Sequence, residues 1–388
     1  MNGIRYLVVL CTFLLTIGVC AEKIASYTVV DLFAGVGGLS YGLASKAEFE
    51  VIAANEIDPE IAKAYTLNHP KVVMLLCGIE ELSEDMLKGA LKGRSVDLVV
   101  GGPPCQSYST AGKRQMDGRA NLFYEYKRVL TILQPRAFIF ENVRGLLSME
   151  QGKLFERIKN EFKSIGYDVK YKLLDAADYG VPQHRERVIL VGFKGVNHFV
   201  FPRPTHGNDV GLKPWVTLGD AFGDLPPIRS GAAAYEYWTA PQNAYQKMMR
   251  KNSGVLLTEY VSPKNSEHVV KIMEFLKEGQ DKFDLPEHMR PKGGFANTYG
   301  KLWWNRPSGT VTRNFGTPSS ARCIHPRDSR ALSIREGARL QSFPDDYKFY
   351  GTDGKKRLEI GNAVPPLLAA ALAEPMLQAL REEGHGAK

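Results

Sequence analysis

Short apolar segments alternate with helical segments between residues 26 and 193, and this alternation constrains the fold more than any other feature of the chain. The predicted strands span 27–33, 49–55, 72–76, 97–100, 137–140, 168–174 and 187–193, and the predicted helices begin near Gly38 or span 58–67, 83–91 and 150–165. Alternation at this spacing predicts an α/β fold with a parallel, doubly wound sheet. In such a sheet, ligands bind beyond the carboxyl ends of the strands.

The composition changes after Lys194. The following hundred or so residues are rich in Pro, Gly, Asn and Tyr and show few strand patterns, which predicts a second, smaller domain. The apolar stretch 360–380 predicts a C-terminal helix that packs back on the first domain. We therefore divide the chain into an N-terminal extension, a large α/β domain, a small domain and a returning C-terminal segment, with the bounds 1–25, 26–195, 196–346 and 347–388.

The extension has the pattern of a signal peptide. Arg5 precedes an apolar run over 6–20, and small residues follow at the end of that run. The run is short for a membrane span. A mis-assigned start or an extension not native to the protein is the favoured interpretation, and export or membrane attachment is the alternative. The fold prediction excludes these residues.

Basic residues concentrate near the end of the small domain. The net charge of the chain is +8, and the segment 301–340 holds Lys301, Arg306, Arg313, Arg322, Arg327, Arg330, Arg335 and Arg339. Two interpretations stay open, a solvated basic face and a surface whose arginines contact phosphates.

Two polar motifs follow the first two strands. DLFAGVGGLS (31–40) places Gly35, Gly37 and Gly38 between a strand and a helix, where glycines permit a tight turn and close approach of the backbone to a ligand. Glu56 ends the second strand, about twenty positions later, where an acidic residue can bind a ribose diol. A structural turn and a carboxylate that only caps a helix are the alternatives.

One cysteine stands in an unusual setting. The five cysteines show no CxxC or Cys/His spacing, so neither a disulfide framework nor a metal site is favoured. In GGPPCQSYS (101–109), however, Pro103 and Pro104 stiffen the approach to Cys105, and small polar residues follow it. This setting favours a nucleophilic thiol over an inert buried one.

Two further motifs carry charged residues at strand ends. FENV places Glu141 at the end of an apolar strand, where a carboxyl group that faces a pocket can act as a proton donor. QHRERV (183–188) alternates Arg185 and Arg187 along one face of an incoming strand. A helix cap and a solvated edge strand are the respective alternatives.

Taken together, the motifs resemble those of the DNA (cytosine-5) methyltransferases of the bacterial restriction-modification type. The resemblance covers most of 26–373 apart from a variable region over 200–300, and its motifs occur in the family's order: DLFAGVGGLS, GGPPCQSYS, ENV, QHRERV, RPSGTVTR with REGARLQSFPDDY, and IGNAVPP. It implies a Rossmann-like methyltransferase sheet with a smaller target-recognition domain.

The resemblance implies that the cofactor is S-adenosylmethionine. The matching cofactor positions are Phe33, Gly35, Gly37, Gly38, Glu56, Ile57, Ile79, Pro103, Asn362 and Val364, of which Glu56 would bind the ribose hydroxyls and Ile57 the adenine. The chain departs from the family pattern at Gly78, where the family usually has an aspartate that contacts the adenine amino group. Glu80 is the candidate substitute.

The resemblance also implies the chemistry. Cys105 would add to C6 of a cytosine flipped out of the duplex, Glu141 would contact N3, and Arg187 would hold O2. Arg185 would steady a loop or a phosphate. The implied DNA contacts are Ser107, Arg119 and Arg313, with 107–119 as a loop that closes over the base.

The expected partner is double-stranded DNA, with a restriction endonuclease for the same site as an optional partner and neither a metal nor a stable membrane partner. We expect a monomer in the cytoplasm, associated with the nucleoid, because an exported enzyme would meet neither DNA nor cofactor. Two alternatives stay open: an RNA cytosine-5 methyltransferase, which shares the thiol chemistry, and a catalytically degenerate DNA-binding paralogue.

Overall fold

The computed structural model describes residues 26–104 and 122–385. The extension 1–25 and the predicted site residues Cys105, Ser107 and Arg119 lie outside the described residues.

Within the described residues, seven strands form one mixed sheet in the order β3–β2–β1–β4–β5–β7–β6. The strands are β1 (Tyr27–Leu32), β2 (Phe49–Glu56), β3 (Val73–Leu76), β4 (Leu98–Gly101), β5 (Ala137–Val143), β6 (Tyr167–Asp175) and β7 (Glu186–Lys194). β1 to β5 run parallel, as predicted.

The prediction of a wholly parallel sheet is wrong for β7, which pairs antiparallel with both β5 and β6. The connection from β6 to β7 spans 176–185 and contains only a short 3₁₀ turn, Ala176–Tyr179. A parallel crossover needs a dozen or more residues, usually with a helix, so a connection of this length returns the chain antiparallel.

Helices cover both faces of the sheet. The described helices are α1 (Gly38–Leu43), α2 (Pro59–Asn68), α3 (Glu84–Leu91), α4 (Leu122–Leu133), α5 (Lys153–Lys163), α6 (Leu218–Phe222), α7 (Ala244–Met249), α8 (Glu267–Phe275), α9 (Ile334–Leu340), α10 (Asp353–Asn362) and α11 (Pro366–His385). Successive strand residues alternate between the two faces. In β1, Val29 belongs to the core beneath α1 and α11, whereas Val30 belongs to the core beneath α3, α4 and α5.

The C-terminal helix α11 packs in the core that contains Val29, as the sequence predicted. A Cβ at Gly42 of α1 would lie 2.4 Å from the Cβ of Ala369 in α11, so the absence of a side chain allows the two helices to pack this closely. By length and composition alone the stretch Asp353–Glu382 is apolar enough to span a membrane, but 61% of its most apolar window is buried. The stretch comprises α10 and most of α11, and α11 packs in the core.

A third core lies in the second half of the chain. It joins apolar residues of α6, α7, α9 and their connections, and it includes Val36 of the glycine turn and Ala64 of α2. The second half of the chain therefore packs directly against the turn that follows β1.

Three arginines of the basic segment belong to this core rather than to a phosphate-binding surface. Arg330, Arg335 and Arg339 are each 0% exposed. Arg339 donates to the carboxylates of Asp224 and Asp345, and Arg330 donates to both oxygens of Glu336, at 2.8 Å each. For these residues the phosphate interpretation is wrong, because each guanidinium is used to satisfy buried acceptors. Arg313, by contrast, is exposed.

The Arg330–Glu336 pair predicts a pH-dependent stability. Burial alone would raise the pKa of Glu336, but the charge and hydrogen bonds of Arg330 outweigh it and lower the pKa to about 2. A carboxylate with a lowered pKa stabilises the fold at neutral pH, and that contribution is lost as the pH falls from about 4.5 towards about 2.

We expect Arg330→Met to lower the free energy of unfolding by about 3–5 kcal/mol at pH 7, because it leaves a buried carboxylate unpaired. The deficit relative to wild type should shrink on acidification, since Glu336 in the variant can take up a proton. Urea unfolding at pH 7 and pH 4 measures both effects. Arg229→Met, at an exposed arginine of the same region, is the control. A deficit that is equal at the two pH values would contradict the assignment.

Candidate functional site

Four of the parallel strands deliver polar motifs to one edge of the sheet. The glycine turn follows β1, Glu56 ends β2, Gly102 and Pro103 follow β4, and Glu141 and Asn142 lie at the end of β5. Because β1, β2, β4 and β5 are parallel, their carboxyl ends meet at the same edge. The structure therefore brings together the motifs that the sequence placed at strand ends.

The glycine turn has the backbone that its composition predicts. Gly35 and Gly37 have φ values of +56° and +95°, in the left-handed region. A Cβ at Gly35 would meet nothing within 4 Å, so open space lies above the turn. A Cβ at Gly38 would lie 2.1 Å from the main-chain oxygen of Val364, so only a glycine allows the segment that contains Val364 to pack on the start of α1.

Glu56 is 8% exposed, and its carboxylate is held by main-chain amides. One oxygen accepts from the N–H of Gly35 at 3.0 Å, and the other accepts from the N–H groups of Ile57 and Asp58 at 2.9 and 3.0 Å. Burial raises the pKa of Glu56, and these hydrogen bonds oppose the rise. The carboxylate thus ties the end of β2 to the glycine turn.

An apolar ledge stands beside Glu56. Ile57 is 66% exposed and Leu76, at the end of the neighbouring β3, is 53% exposed. Two large apolar side chains left open at adjacent strand ends are typical of a surface that a flat apolar ligand covers. The sequence motifs identified Ile57 but not Leu76, which becomes visible only when β2 and β3 are paired.

The neighbouring candidates differ in exposure. Ile79 is 3% exposed and packs in the core beneath α3 and α4, and Val364 is 7% exposed. Asn362, the last residue of α10, is exposed. Phe33 adopts a left-handed backbone with φ 53° where the chain leaves β1.

Gly78 leaves space that Glu80 fills. The carboxyl atoms of Glu80 lie 3.0–3.1 Å from the position that a Cβ at residue 78 would take. A carboxylate is therefore present where the side chain of a residue at 78 would begin, although it comes from a residue two positions later.

Glu141 and Arg187 form an ion pair at the same edge. Arg187 Nε lies 2.8 Å from Glu141 Oε1, and each residue is 9% exposed. The second carboxylate oxygen of Glu141 lies 2.5 Å from the place where a Cβ at Gly102 would stand. Residue 102 therefore has to be a glycine if the carboxylate is to lie against the chain where it leaves β4.

Asn142 links the same strand end to the segment before Cys105. Its Nδ2 donates to the main-chain oxygen of Pro103 at 3.1 Å, and its own Oδ1 accepts from the N–H of Val143 at 2.9 Å. The end of β5 thus holds both the ion pair and the backbone that leads into Cys105.

For Arg185, the contacts suit the predicted steadying of a loop and not the phosphate or a catalytic role. It is 2% exposed, and its guanidinium donates to the main-chain oxygens of Val311, Gly361 and Ala363 at 3.0, 2.9 and 3.0 Å. A side chain buried in this way does not fit contact with a phosphate or a place among the reacting groups. The alternation in QHRERV sends Arg187 to Glu141 and Arg185 into the interior.

Gln183 and Gln341 are two buried residues whose roles the motifs did not reveal. Both are 0% exposed, and Gln183 Nε2 donates to Gln341 Oε1 at 2.9 Å. Gln183 is the first residue of QHRERV, so the motif marked its position but not its partners.

Across the described ranges, no group of three or more His, Cys, Asp or Glu side chains is arranged to hold a metal ion.

Comparison with known proteins gives one consistent family. The C-5 cytosine-specific DNA methylase family matches residues 27–378. The chain is 37% identical to the Type II methyltransferase M1.HphI of Haemophilus parahaemolyticus over 357 residues, which cover 91% of this chain and 87% of that protein. It is also 37% identical to the Type II methyltransferase M.DdeI of Desulfomicrobium norvegicum, with 89% and 87% covered.

Solved structures of other methyltransferases have a similar fold. The crystal structure of a putative DNA modification methyltransferase encoded within an Escherichia coli prophage superposes with a TM-score of 0.75 at 26% identity, covering 92% of this chain and 100% of that one. Schizosaccharomyces pombe Dnmt2 superposes with a TM-score of 0.57 at 19% identity, covering 91% and 99%, which shows a shared fold.

The contact between Gly102 and Glu141 predicts a loss of activity in Gly102→Ala. The new methyl group would meet Oε2 of Glu141 and displace the carboxylate from Arg187. We expect methyl transfer to DNA to slow about a hundredfold, as displacements near 1 Å in an active site do. Gly89→Ala is the matched control, because nothing lies within 4 Å of a Cβ there and alanine favours the helix. A folded Gly102→Ala protein with the wild-type rate would refute the contact.

Proposed function

The chain belongs to the C-5 cytosine-specific DNA methylase family, and from that membership we propose that it transfers a methyl group from S-adenosylmethionine to C5 of a flipped-out cytosine at a specific site in duplex DNA. The observation that carries this proposal is the Glu141–Arg187 pair, set against the β4 exit that leads into Cys105. A carboxyl group beside a cation, next to a segment that leads in the sequence to a cysteine, suits the activation of a pyrimidine ring.

The residues at the carboxyl edge fit the proposed cofactor. The carboxylate of Glu56 suits a ribose diol, and the exposed side chains of Ile57 and Leu76 suit the face of an adenine. Open space above Gly35 leaves room for the ligand. Asn362 and Val364 would close the pocket at the methionine end, and Phe33 and Pro103 would complete its wall. When bound, the cofactor supplies a methyl group activated by a sulfonium centre.

The protein's task in the reaction is to make C5 of cytosine nucleophilic. The Cys105 thiolate adds to C6, which forms an S–C6 bond and moves electron density to C5 and N3. A proton on Glu141 shared with N3 neutralises that density, and Arg187 donates to O2. C5 would then take the methyl group, with S-adenosylhomocysteine as the leaving group. Transfer of the C5 proton to water restores the C5–C6 double bond and breaks the S–C6 bond, which returns Cys105 as a thiolate.

The Glu141–Arg187 ion pair orients the guanidinium before the base binds. Arg187 Nε is bonded to Glu141 and one terminal nitrogen, Nη1, donates to the main-chain oxygen of Glu186 at 2.8 Å. These two bonds fix the plane of the guanidinium, so that its remaining donors can be aimed at an incoming carbonyl oxygen. Fixed donors of this kind stabilise developing charge without reorganising during the reaction.

The target cytosine must first be flipped out of the duplex, because enzymes that do chemistry on a base take it out of the stack. We propose the loop 107–119, with Ser107 and Arg119, as the segment that closes over it. Arg313, which is exposed, would contact the DNA backbone, and the small domain would recognise the target sequence. We also propose that the protein acts in the cytoplasm as a monomer. An endonuclease that cuts the same site would be its partner.

Tritiated methyl transfer to duplex DNA against tRNA tests the substrate class. We expect label in duplex DNA, and bisulfite sequencing of DNA from expressing cells should place it at cytosines of one short sequence. Predominant labelling of tRNA would favour the RNA alternative, and no transfer to either would favour the degenerate paralogue.

A duplex that carries 5-fluorocytosine tests the thiol mechanism. Fluorine at C5 cannot leave as a proton, so wild-type protein and cofactor should form a covalent complex that survives denaturation. Cys105→Ser should form none, whereas Cys77→Ser, at a half-buried cysteine, should trap normally. Trapping by Cys105→Ser would refute the assignment of the nucleophile.

The Glu80 carboxylate predicts a compensating pair of substitutions. If Glu80 binds the adenine amino group, Glu80→Ala should weaken binding of S-adenosylhomocysteine about tenfold, the value of one hydrogen bond to a charged group. Adding Gly78→Asp should recover most of the loss, because the new carboxylate begins where that of Glu80 lies. Isothermal titration measures both, and Glu81→Ala is the control. Unchanged affinity in Glu80→Ala would remove the residue from the cofactor site.

A further inference from the structure

The C-terminal end of α10 is held by side chains from outside the helix. The last carbonyls of a helix have no partner within it and must be satisfied by other groups. At α10, Gln341 Nε2 donates to the main-chain oxygen of Ile360 at 2.5 Å, and Arg185 Nη2 donates to those of Gly361 and Ala363 at 2.9 and 3.0 Å. A cation at this end is also favoured by the helix dipole.

The same guanidinium reaches a second segment. Arg185 Nη1 donates to the main-chain oxygen of Val311 at 3.0 Å, and Gln183 Oε1 accepts from the N–H of Val311 at 2.7 Å. The two segments also touch directly, since a Cβ at Gly361 would lie 2.4 Å from the main-chain nitrogen of Arg313. Arg185 and Gln183 therefore hold the segment 311–313 against the end of α10.

Each clamped segment leads to a part of the site. Asn362 lies between the two carbonyls that Arg185 holds, and the oxygen of Val364 packs on Gly38 at the glycine turn. Arg313 is two residues beyond Val311, and Arg187 is two residues beyond Arg185 itself.

We propose that Arg185 is a positioning residue that sets the closing segment of the cofactor pocket, 361–364, and holds it in register with the segment that carries Arg313. This inference rests on the proposed function, because it takes the ligand of that pocket to be S-adenosylmethionine. Arg185 touches neither the base nor the reacting atoms. It acts through main-chain carbonyls, and a planar group with several donors in fixed directions is suited to hold three of them at once.

Hydrogen bonds to three carbonyls replace part of the water that the guanidinium loses on burial. Its Nε has no hydrogen-bond partner among the described residues, and burial together with the charge of Arg187 lowers the pKa of Arg185. A lysine could satisfy only some of these acceptors, because its ammonium is a compact point donor.

The proposal separates binding from chemistry. Loss of the clamp should free 361–364 from Gly38 and weaken the cofactor, whereas the Glu141–Arg187 pair remains bonded within β5 and β7. We expect Arg185→Met to weaken binding of S-adenosylhomocysteine at least about tenfold, with Arg185→Lys intermediate. The rate constant at saturating cofactor and DNA should change less than about threefold.

Arg335 supplies the matched control. It is also fully buried and donates to main-chain oxygens, at Thr258 and Pro344, but it does not touch 311–313 or 361–364. Arg335→Met should lower thermal stability as Arg185→Met does and leave the affinity for S-adenosylhomocysteine within about twofold of wild type. Isothermal titration of the full-length protein, with circular dichroism for folding, gives both quantities.

The outcomes are distinct. Weaker binding in the Arg185 variants and not in Arg335→Met supports the positioning role, and equal weakening in both, or none in either, overturns it. If Arg185→Met does not fold, Arg185→Lys and Gln341→Met test the same clamp, since Gln341 holds Ile360 of the same helix end. A wild-type protein that binds the probe but methylates no DNA would refute the proposed function and leave the test of Arg185 intact.

Discussion

The antiparallel direction of β7 is the constraint on which the proposed catalytic arrangement depends. Because β7 runs opposite to β5, its first residues lie beside the last residues of β5, and Val143 pairs with Arg187 in the register. This places the guanidinium of Arg187 within 2.8 Å of Glu141. In a wholly parallel sheet Arg187 would begin its strand at the opposite edge, far from the glycine turn and from Pro103. The antiparallel strand β7 therefore adds Arg187 to the residues that the parallel strands bring to this edge.

The arginines of the site and of the basic segment differ in their environments, and their hydrogen-bond partners distinguish the buried ones. In the second half of the chain, Arg330 and Arg339 are paired with buried carboxylates and stabilise the core. Arg185 holds main-chain carbonyls at the junction of the two halves. Arg187 stands at the rim with a carboxylate, and Arg313 is exposed. Sequence clustering identified a basic segment, but the environment of each guanidinium determines its role.

The two halves of the chain meet at the glycine turn. The carbonyl of Val364 packs on Gly38, and Val36 is part of the core of the second half. The proposed cofactor site therefore does not belong to the sheet alone. It combines the ends of β1 and β2 with residues more than three hundred positions later, to which Arg185 of the β6–β7 connection is hydrogen-bonded.

The sequence by itself determined the strand and helix alternation, the parallel core, the glycine turn and the packing of the C-terminal helix, because these depend on local patterns of apolar residues, glycines and caps. It also marked Glu141 and Arg187. Only the tertiary structure decided that β7 is reversed, that Arg185 faces inward and that Leu76 joins Ile57 on an exposed ledge. These features depend on which strands become neighbours and on which carbonyls remain unpaired, and both are settled by contacts between residues far apart in the chain.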